Sequence, residues 1–175
     1  MNQGTALMIV DAQVNMFDPK RPVFEAEHLL ERLKKLLSLA RASGTQVVFV
    51  QNNGTAGEPD EPRTPGWLIH PELEIAIGDL IIQKTECSAF AENDLEKRLK
   101  QMGIKKLIIA GLQSEYCVVT NCEKSLEAGF EVILVSDAHS TYDSATQKAP
   151  EIIASINAKL RDKLDLWRVD DVRST

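Results

Sequence analysis

Residues 5–11, TALMIVD, run almost without interruption through apolar side chains and stop at an acid. A strand with one face in water would alternate; an unbroken run fits a strand buried on both faces, as in a parallel sheet. The chain outward from it repeats the theme. Residues 25–43 place Leu29, Leu30, Leu33, Leu36, Leu37 and Ala40 on one helical stripe, and Gly44 follows as a stop. Residues 45–51 (TQVVFVQ) and 79–84 (DLIIQK) read as the second and third strands. A helix over 92–102 carries Leu95, Leu99 and Met102 and closes at Gly103, before a fourth strand over 105–111, KKLIIAG. Residues 115–128 read as a helix ending at Gly129, 130–136 as a fifth strand, 147–163 as a last helix and 164–169 as a short sixth strand. This alternation predicts an α/β fold with helices on both faces of a parallel sheet, joined by right-handed crossovers. The expected architecture is a three-layer α/β/α domain whose six-stranded parallel sheet has the Rossmann-like order 3-2-1-4-5-6.

Composition narrows the function. The 175 residues fit one domain, 1–175, and 43% hydrophobic content with 26% charge excludes wholesale disorder. With 26 acidic residues against 20 basic ones the net charge is −6, which argues against a nucleic-acid partner. The apolar runs are strand-sized, far below the ~20 residues of a bilayer span, so no membrane role is expected. The N-terminal MNQGTALMIVDAQ shows no basic leader, and three cysteines make no disulfide framework. A reducing cytoplasm is the expected location, with any important cysteine chemical rather than structural.

Ligands of open parallel sheets bind beyond the carboxyl ends of the strands. Asp11 closes the first strand, Lys84 closes the third, and Cys117 follows the fourth near a helix start. A helix N-terminus and a nearby lysine would both favour thiolate, and a carboxylate could accept the thiol proton. Taken singly, each has a bland reading: a turn-forming Asp, a solvated Lys, a Cys serving as a small buried hydrophobe. Cys87 and Cys122 are assigned to packing, and His28 and His139, the latter in a polar stretch, to the surface. Residues 52–66, NNGTAGEPDEPRTPG, form the one long irregular segment, either a lid or binding loop or a solvated excursion. No GxGxxG, GxxxxGK[ST], CxxC, HExxH or GxSxG pattern is present, so dinucleotide, P-loop, zinc and serine-elbow chemistry lack their signatures.

Four stretches together carry a resemblance: LMIVDAQVNMF from residue 7, GWLIHPEL from 66, GDLIIQKTECSAF from 78, and IIAGLQSEYCVVTNCEKSLEAGFEVILVSDAHST from 108. In this order and spacing the chain resembles the isochorismatase-like cysteine hydrolase superfamily over nearly its full length. The resemblance maps the family's Asp–Lys–Cys triad onto Asp11, Lys84 and Cys117. It implies that Cys117 attacks the carbonyl of a C–N bond of a small molecule, that Asp11 carries the proton to the leaving amine, and that water then hydrolyses an acyl-enzyme. It also implies a cis peptide at Leu112–Gln113, with the backbone N–H groups of Gln113 and Cys117 as the oxyanion hole, and a homodimer or higher homo-oligomer. Metal-dependent relatives carry an Asp-x-His after the second strand; here Gln51, Asn52 and Asn53 stand there and His70 is alone, so neither metal nor other cofactor is expected. Isochorismatases proper cleave a vinyl ether without the cysteine, so a retained Cys117 favours amide, lactam or ureido-type substrates. The GLQSEYC wording resembles the streptothricin-hydrolase-like and uncharacterised branch, and Asn121 stands where the family has Thr. Gln13, Phe17, Trp67 and Tyr116 are the pocket candidates, with Trp67 equally open to a packing role. The competing readings are a vinyl-ether hydrolase, a catalytically silent binding domain and a thiol-redox protein.

Overall fold

The structure is a computed structural model that describes residues 4–91 and 93–173. Six parallel strands form one sheet: β1 (Thr5–Val10), β2 (Gln46–Asn52), β3 (Leu80–Lys84), β4 (Lys106–Leu112), β5 (Glu131–Ser140) and β6 (Asp165–Trp167), in the order β3-β2-β1-β4-β5-β6. That is the expected order. The central β1 is buried at every residue, and its side chains divide by parity, as strand geometry requires. Leu7 and Ile9 join Phe49, Ile108 and Ile133 on one face, where α1 (Ala26–Ala42) lays down Leu29, Leu33, Leu36 and Leu37. Ala6, Met8 and Val10 face the opposite layer, made by Leu95 and Leu99 of α2 (Leu95–Gln101), Val119 and Cys122 of α3 (Val119–Glu127), and Ile152, Ile156 and Leu160 of α4 (Ala149–Leu160). Three layers therefore follow from two apolar sheet faces, each needing cover. Among the described residues no helix is long and apolar enough to cross a membrane.

Several boundaries differ from the sequence expectation. Glu92, the expected start of the second helix, lies outside the described residues; the helix is regular from Leu95, whose N–H donates to Asn93 Oδ1 at 2.9 Å. The helix expected over 115–128 is two pieces, a single π turn at Ser114–Val118 and then α3. β5 runs four residues beyond the expected end at 136. Its polar tail does not leave the sheet because each group finds a partner: Ser136 Oγ donates to the Trp167 carbonyl at 3.0 Å, and Asp137 Oδ1 accepts from Val169 N–H at 2.9 Å. His139, expected at the surface, is buried on this tail. Between Ile109 and Gly111 the pairing shifts register, so the single residue Ala110 of β4 stands opposite the extra residues of β5. Gly111 has φ +121°, and a Cβ there would stand 2.1 Å from the Val10 carbonyl oxygen, so only glycine lets β4 pass β1 this closely.

Candidate active site

β1 delivers Asp11 at its carboxyl end. Asp11 sits at φ 46°, a left-handed conformation that Asp tolerates better than most residues. The strand's pairing continues one step further, through a 2.9 Å bond from Asp11 N–H to the Val50 carbonyl. β3 delivers Lys84, in register with Asn52 of β2. Lys84 lies two strands from Asp11, roughly 9–10 Å in backbone terms, and its long stem crosses the end of β2 to close the gap. Its side chain is 1% exposed, and the ammonium has three donors. Those donors meet Asp11 Oδ2 at 2.9 Å, Asn52 Oδ1 at 3.0 Å and Cys117 Sγ at 3.4 Å. The π turn after β4 delivers Cys117. The three expected residues therefore meet at one point, on the rim where a doubly wound sheet binds its ligands.

Cys117 forms part of the wall of a cavity of about 390 Å³, together with Asp11, Asn52, Asp60, Cys87, Gln113 and Tyr116 among others. Burial pushes the Cys117 thiol well above its ordinary value, and the Asp11 charge adds to the rise against the opposing Lys84. That direction opposes the pull toward thiolate that helix position and lysine alone suggest. Burial likewise raises the Asp11 carboxyl against the opposing pull of Lys84. For Lys84, burial by itself would lower the pKa; the charges of Asp11 and Cys117 outweigh it and raise the value. The peptide Leu112–Gln113 is cis. The Gln113 carbonyl accepts from the N–H groups of Tyr116 and Val118, on either side of Cys117 in the chain.

The family model for the isochorismatase domain matches residues 5–158. The chain belongs to the isochorismatase family. It is 36% identical over 166 residues to a streptothricin hydrolase of Streptomyces noursei, an alignment covering 95% of this chain but 59% of that protein. A second streptothricin hydrolase of the same organism is covered over 65% of its length, so the chain spans less than two thirds of these relatives. The uncharacterized isochorismatase family protein YrdC of Bacillus subtilis is 33% identical, with 84% of this chain and 79% of that protein covered. The crystal structure of an isochorismatase from Pseudomonas putida superposes with a TM-score of 0.91 at 26% identity, covering 97% of this chain and 90% of that one.

Within this isochorismatase domain the pocket candidates part company. Tyr116 is half exposed and lies on the cavity wall, as does Gln113. Gln13, Phe17 and Trp67 do not line that cavity. Gln13 is a buried staple: its Nε2 donates to the carbonyls of Asn52 and Trp67, both at 2.9 Å, and its Oε1 accepts from Asn52 N–H at 2.8 Å. Phe17 packs edge-on against His70, with centroids 5.0 Å apart. Trp67 anchors the long loop, donating its indole N–H to Asn53 Oδ1 at 2.8 Å. That loop is bonded throughout. Asn52 Nδ2 donates to Asp60 Oδ2 at 2.7 Å and Gly54 N–H to the Asp60 carbonyl at 2.9 Å, while Thr64 Oγ1 donates to the Pro59 carbonyl at 3.1 Å. It supplies Glu58, Pro59 and Asp60 as a built wall of the cavity.

Three features escaped the sequence reading. Asn52 holds the Lys84 ammonium. Asn121, fully buried, ties the loop after β3 to the π turn: its Nδ2 donates to the carbonyls of Cys87 at 3.0 Å and Cys117 at 2.8 Å, and its Oδ1 accepts from Ala89 N–H at 2.7 Å. Ser114, at the head of the turn, bonds His139 Nδ1 at 2.8 Å, and His139 Nε2 bonds Asn157 Oδ1 at 3.0 Å. Asn157 Nδ2 donates to the Ser136 carbonyl at 3.0 Å, which fixes Oδ1 toward the ring. The imidazole therefore carries its proton on Nε2 and accepts the Ser114 hydroxyl at Nδ1. Cys122 packs in the core as expected, whereas Cys87 is exposed on the cavity wall rather than packed. Among the described residues no three His, Cys, Asp or Glu side chains group as metal ligands.

Proposed function

We propose that the protein is a cysteine hydrolase that cleaves the C–N bond of a small amide-, lactam- or ureido-type substrate through an acyl-enzyme. The observation that carries this reading is the Lys84 ammonium, which bridges Asp11 at 2.9 Å and the Cys117 sulfur at 3.4 Å on the wall of one cavity. The similarity to a hydrolase of Streptomyces noursei supports the reaction class.

With burial raising the Cys117 thiol, attack is coupled to removal of its proton. Asp11, less acidic than an ordinary carboxyl, takes the thiol proton as Sγ bonds to the carbonyl carbon. The carbonyl electrons move to oxygen, where the N–H groups of Gln113 and Cys117 are the proposed donors; one such donor is typically worth ~10²–10³ in rate. Asp11 returns the proton to the nitrogen as the C–N bond breaks and the amine leaves. A water, deprotonated by Asp11, then attacks the thioester, and the acid departs as Sγ recovers its proton. Throughout, Lys84 keeps Asp11 and the forming thiolate from sharing uncompensated negative charge.

The test is amine release from a panel of amides and ureido acids, and ring opening to an amino acid for lactams, with Cys117→Ser and Asp11→Asn beside the native protein. Turnover that both substitutions abolish supports the reading. Native-like turnover by Cys117→Ser overturns the acyl-enzyme on this cysteine.

A further inference from the structure

Cys87 has no part in the proposed hydrolysis, yet it stands on the wall of the same cavity as Cys117. The two sit on separate elements, Cys87 beyond the end of β3 and Cys117 in the π turn after β4. One side chain ties them together. Asn121 Nδ2 donates to the Cys87 carbonyl at 3.0 Å and to the Cys117 carbonyl at 2.8 Å. The two carbonyl oxygens therefore lie no farther apart than those two bonds laid end to end. That is the scale of a disulfide, whose Cα atoms usually stand ~4.4–6.8 Å apart. The thiols are also close enough for charge on Cys87 to raise the Cys117 pKa.

The two sulfurs differ in access. Burial raises the Cys117 thiol, so it is a slow first target for an electrophile. Cys87 is exposed. Residues 85–88 around it carry no helix or strand and lead from β3 to Ala89, whose N–H is held by Asn121 Oδ1 at 2.7 Å. The segment that must adjust to join the sulfurs is thus short and outside the sheet ladder. Cys122 is no partner for either, being fully buried among the core side chains of α3.

We propose that Cys87 is a resolving thiol for Cys117, and that a small dialkyl disulfide converts the pair into a reversible Cys87–Cys117 disulfide that silences the nucleophile. The Cys87 sulfur, losing its proton, attacks one sulfur of the reagent; the reagent's S–S bond breaks and a first small thiol leaves with that proton. Cys117, its proton taken by Asp11, then attacks Cys87 Sγ in the mixed disulfide. A second small thiol leaves and takes the proton from Asp11. Two protein thiols are oxidised and one reagent disulfide is reduced to two thiols. The carboxylate that frees the sulfur for a carbonyl serves it equally for a disulfide, and the shared cavity makes the second step intramolecular. Excess thiol runs both steps backward. The loss of activity rests on the amide-hydrolase reading, but the cross-link is separable from it.

The probe is bis(2-hydroxyethyl) disulfide, applied at neutral pH to the native protein, Cys87→Ser and Cys117→Ser. The native protein should lose the mass of two hydrogens, yield a cross-linked peptide pair containing Cys87 and Cys117, and revert fully with dithiothreitol. Cys117→Ser should instead keep a hydroxyethylthio adduct on Cys87, because no second thiol displaces it. Amine release from the best amide should fall at least tenfold in the oxidised native protein and return with dithiothreitol. Cys87→Ser, judged against its own untreated turnover, should be inactivated at least tenfold more slowly. A stable adduct on Cys87 of the native protein, a cross-link through Cys122, or equally fast inactivation of Cys87→Ser would overturn the proposal. A reversible Cys87–Cys117 cross-link in a protein that hydrolyses no amide would uphold the thiol pair while sinking the proposed reaction. Amide turnover with no cross-link would do the reverse.

Discussion

Lys84→Met is the substitution whose cost can be worked out from the geometry. Methionine keeps most of the stem's volume but removes the ammonium that meets Asp11, Asn52 and Cys117. Removing one partner of a buried pair typically costs ~3–5 kcal/mol, because the other charge is left uncompensated. Asp11 can avoid that cost by staying protonated, so the loss must depend on pH. Its folded pKa is already raised by burial, and without Lys84 only the upward push remains. A carboxyl with a raised folded value imposes no electrostatic cost below its unfolded value near ~4 and an increasing one above it, about 1.4 kcal/mol per pH unit, until the folded value is passed. Lys84 itself has a raised folded value, so its contribution is constant below about pH 10 and does not distort the comparison. The expected loss is therefore about 1–2 kcal/mol at pH 5 and about 3–5 kcal/mol at pH 8. With a urea slope of about 2 kcal/mol per molar, the pH 8 loss moves the unfolding midpoint by roughly 2 M. A loss equal at both pH values, or below about 1 kcal/mol at pH 8, would refute the claim that Asp11 depends on Lys84 for its charge.

The thiol's raised pKa predicts that iodoacetamide labels Cys117 slowly at neutral pH, with a rate still climbing at pH 9; a plateau near pH 7, read from the labelled peptide, would mean a resting thiolate. Asn121→Leu strands two carbonyls and one N–H, so it should cost about 3 kcal/mol or more in urea unfolding and should lower kcat more than it raises KM. His139 has a pKa lowered by burial, so its contribution is intact above about 6.5 and is lost as pH falls below that value. His139→Gln should flatten that acid limb of the stability curve. Treatment with a chelator should leave turnover unchanged; activity lost to it and restored by zinc would return the metal-dependent relatives to consideration.

The strand order and the rim on which Asp11, Lys84 and Cys117 meet were readable because both follow from strong local signals. An unbroken apolar run such as TALMIVD has few uses besides a doubly buried strand, and in a parallel sheet the residue after it falls on the binding rim. β5 was misjudged for the converse reason. SDAHS reads as polar loop, and its burial depends on Trp167, Val169, Asn157 and Ser114, all remote in sequence. Gln13 and Trp67 were plausible pocket residues by position, yet a glutamine amide and an indole N–H are also what a long loop needs to be stapled to a sheet. Asn121 was conspicuous as a departure from the family pattern, but its role became visible only with the two carbonyls it joins. Side chains whose partners lie on other elements carry no periodic signature, and periodicity was the main source of the sequence reading.

The central claim is that Cys117 becomes covalently acylated during turnover. The most direct measurement is the intact mass of the protein quenched in acid while it hydrolyses its best amide from the panel, followed by mapping of the modified peptide. The account predicts an increment equal to the substrate minus its amine, located on Cys117 and absent from Cys117→Ser and Asp11→Asn. Sustained turnover by Cys117→Ser, or an adduct carried by Cys87 instead, would contradict it.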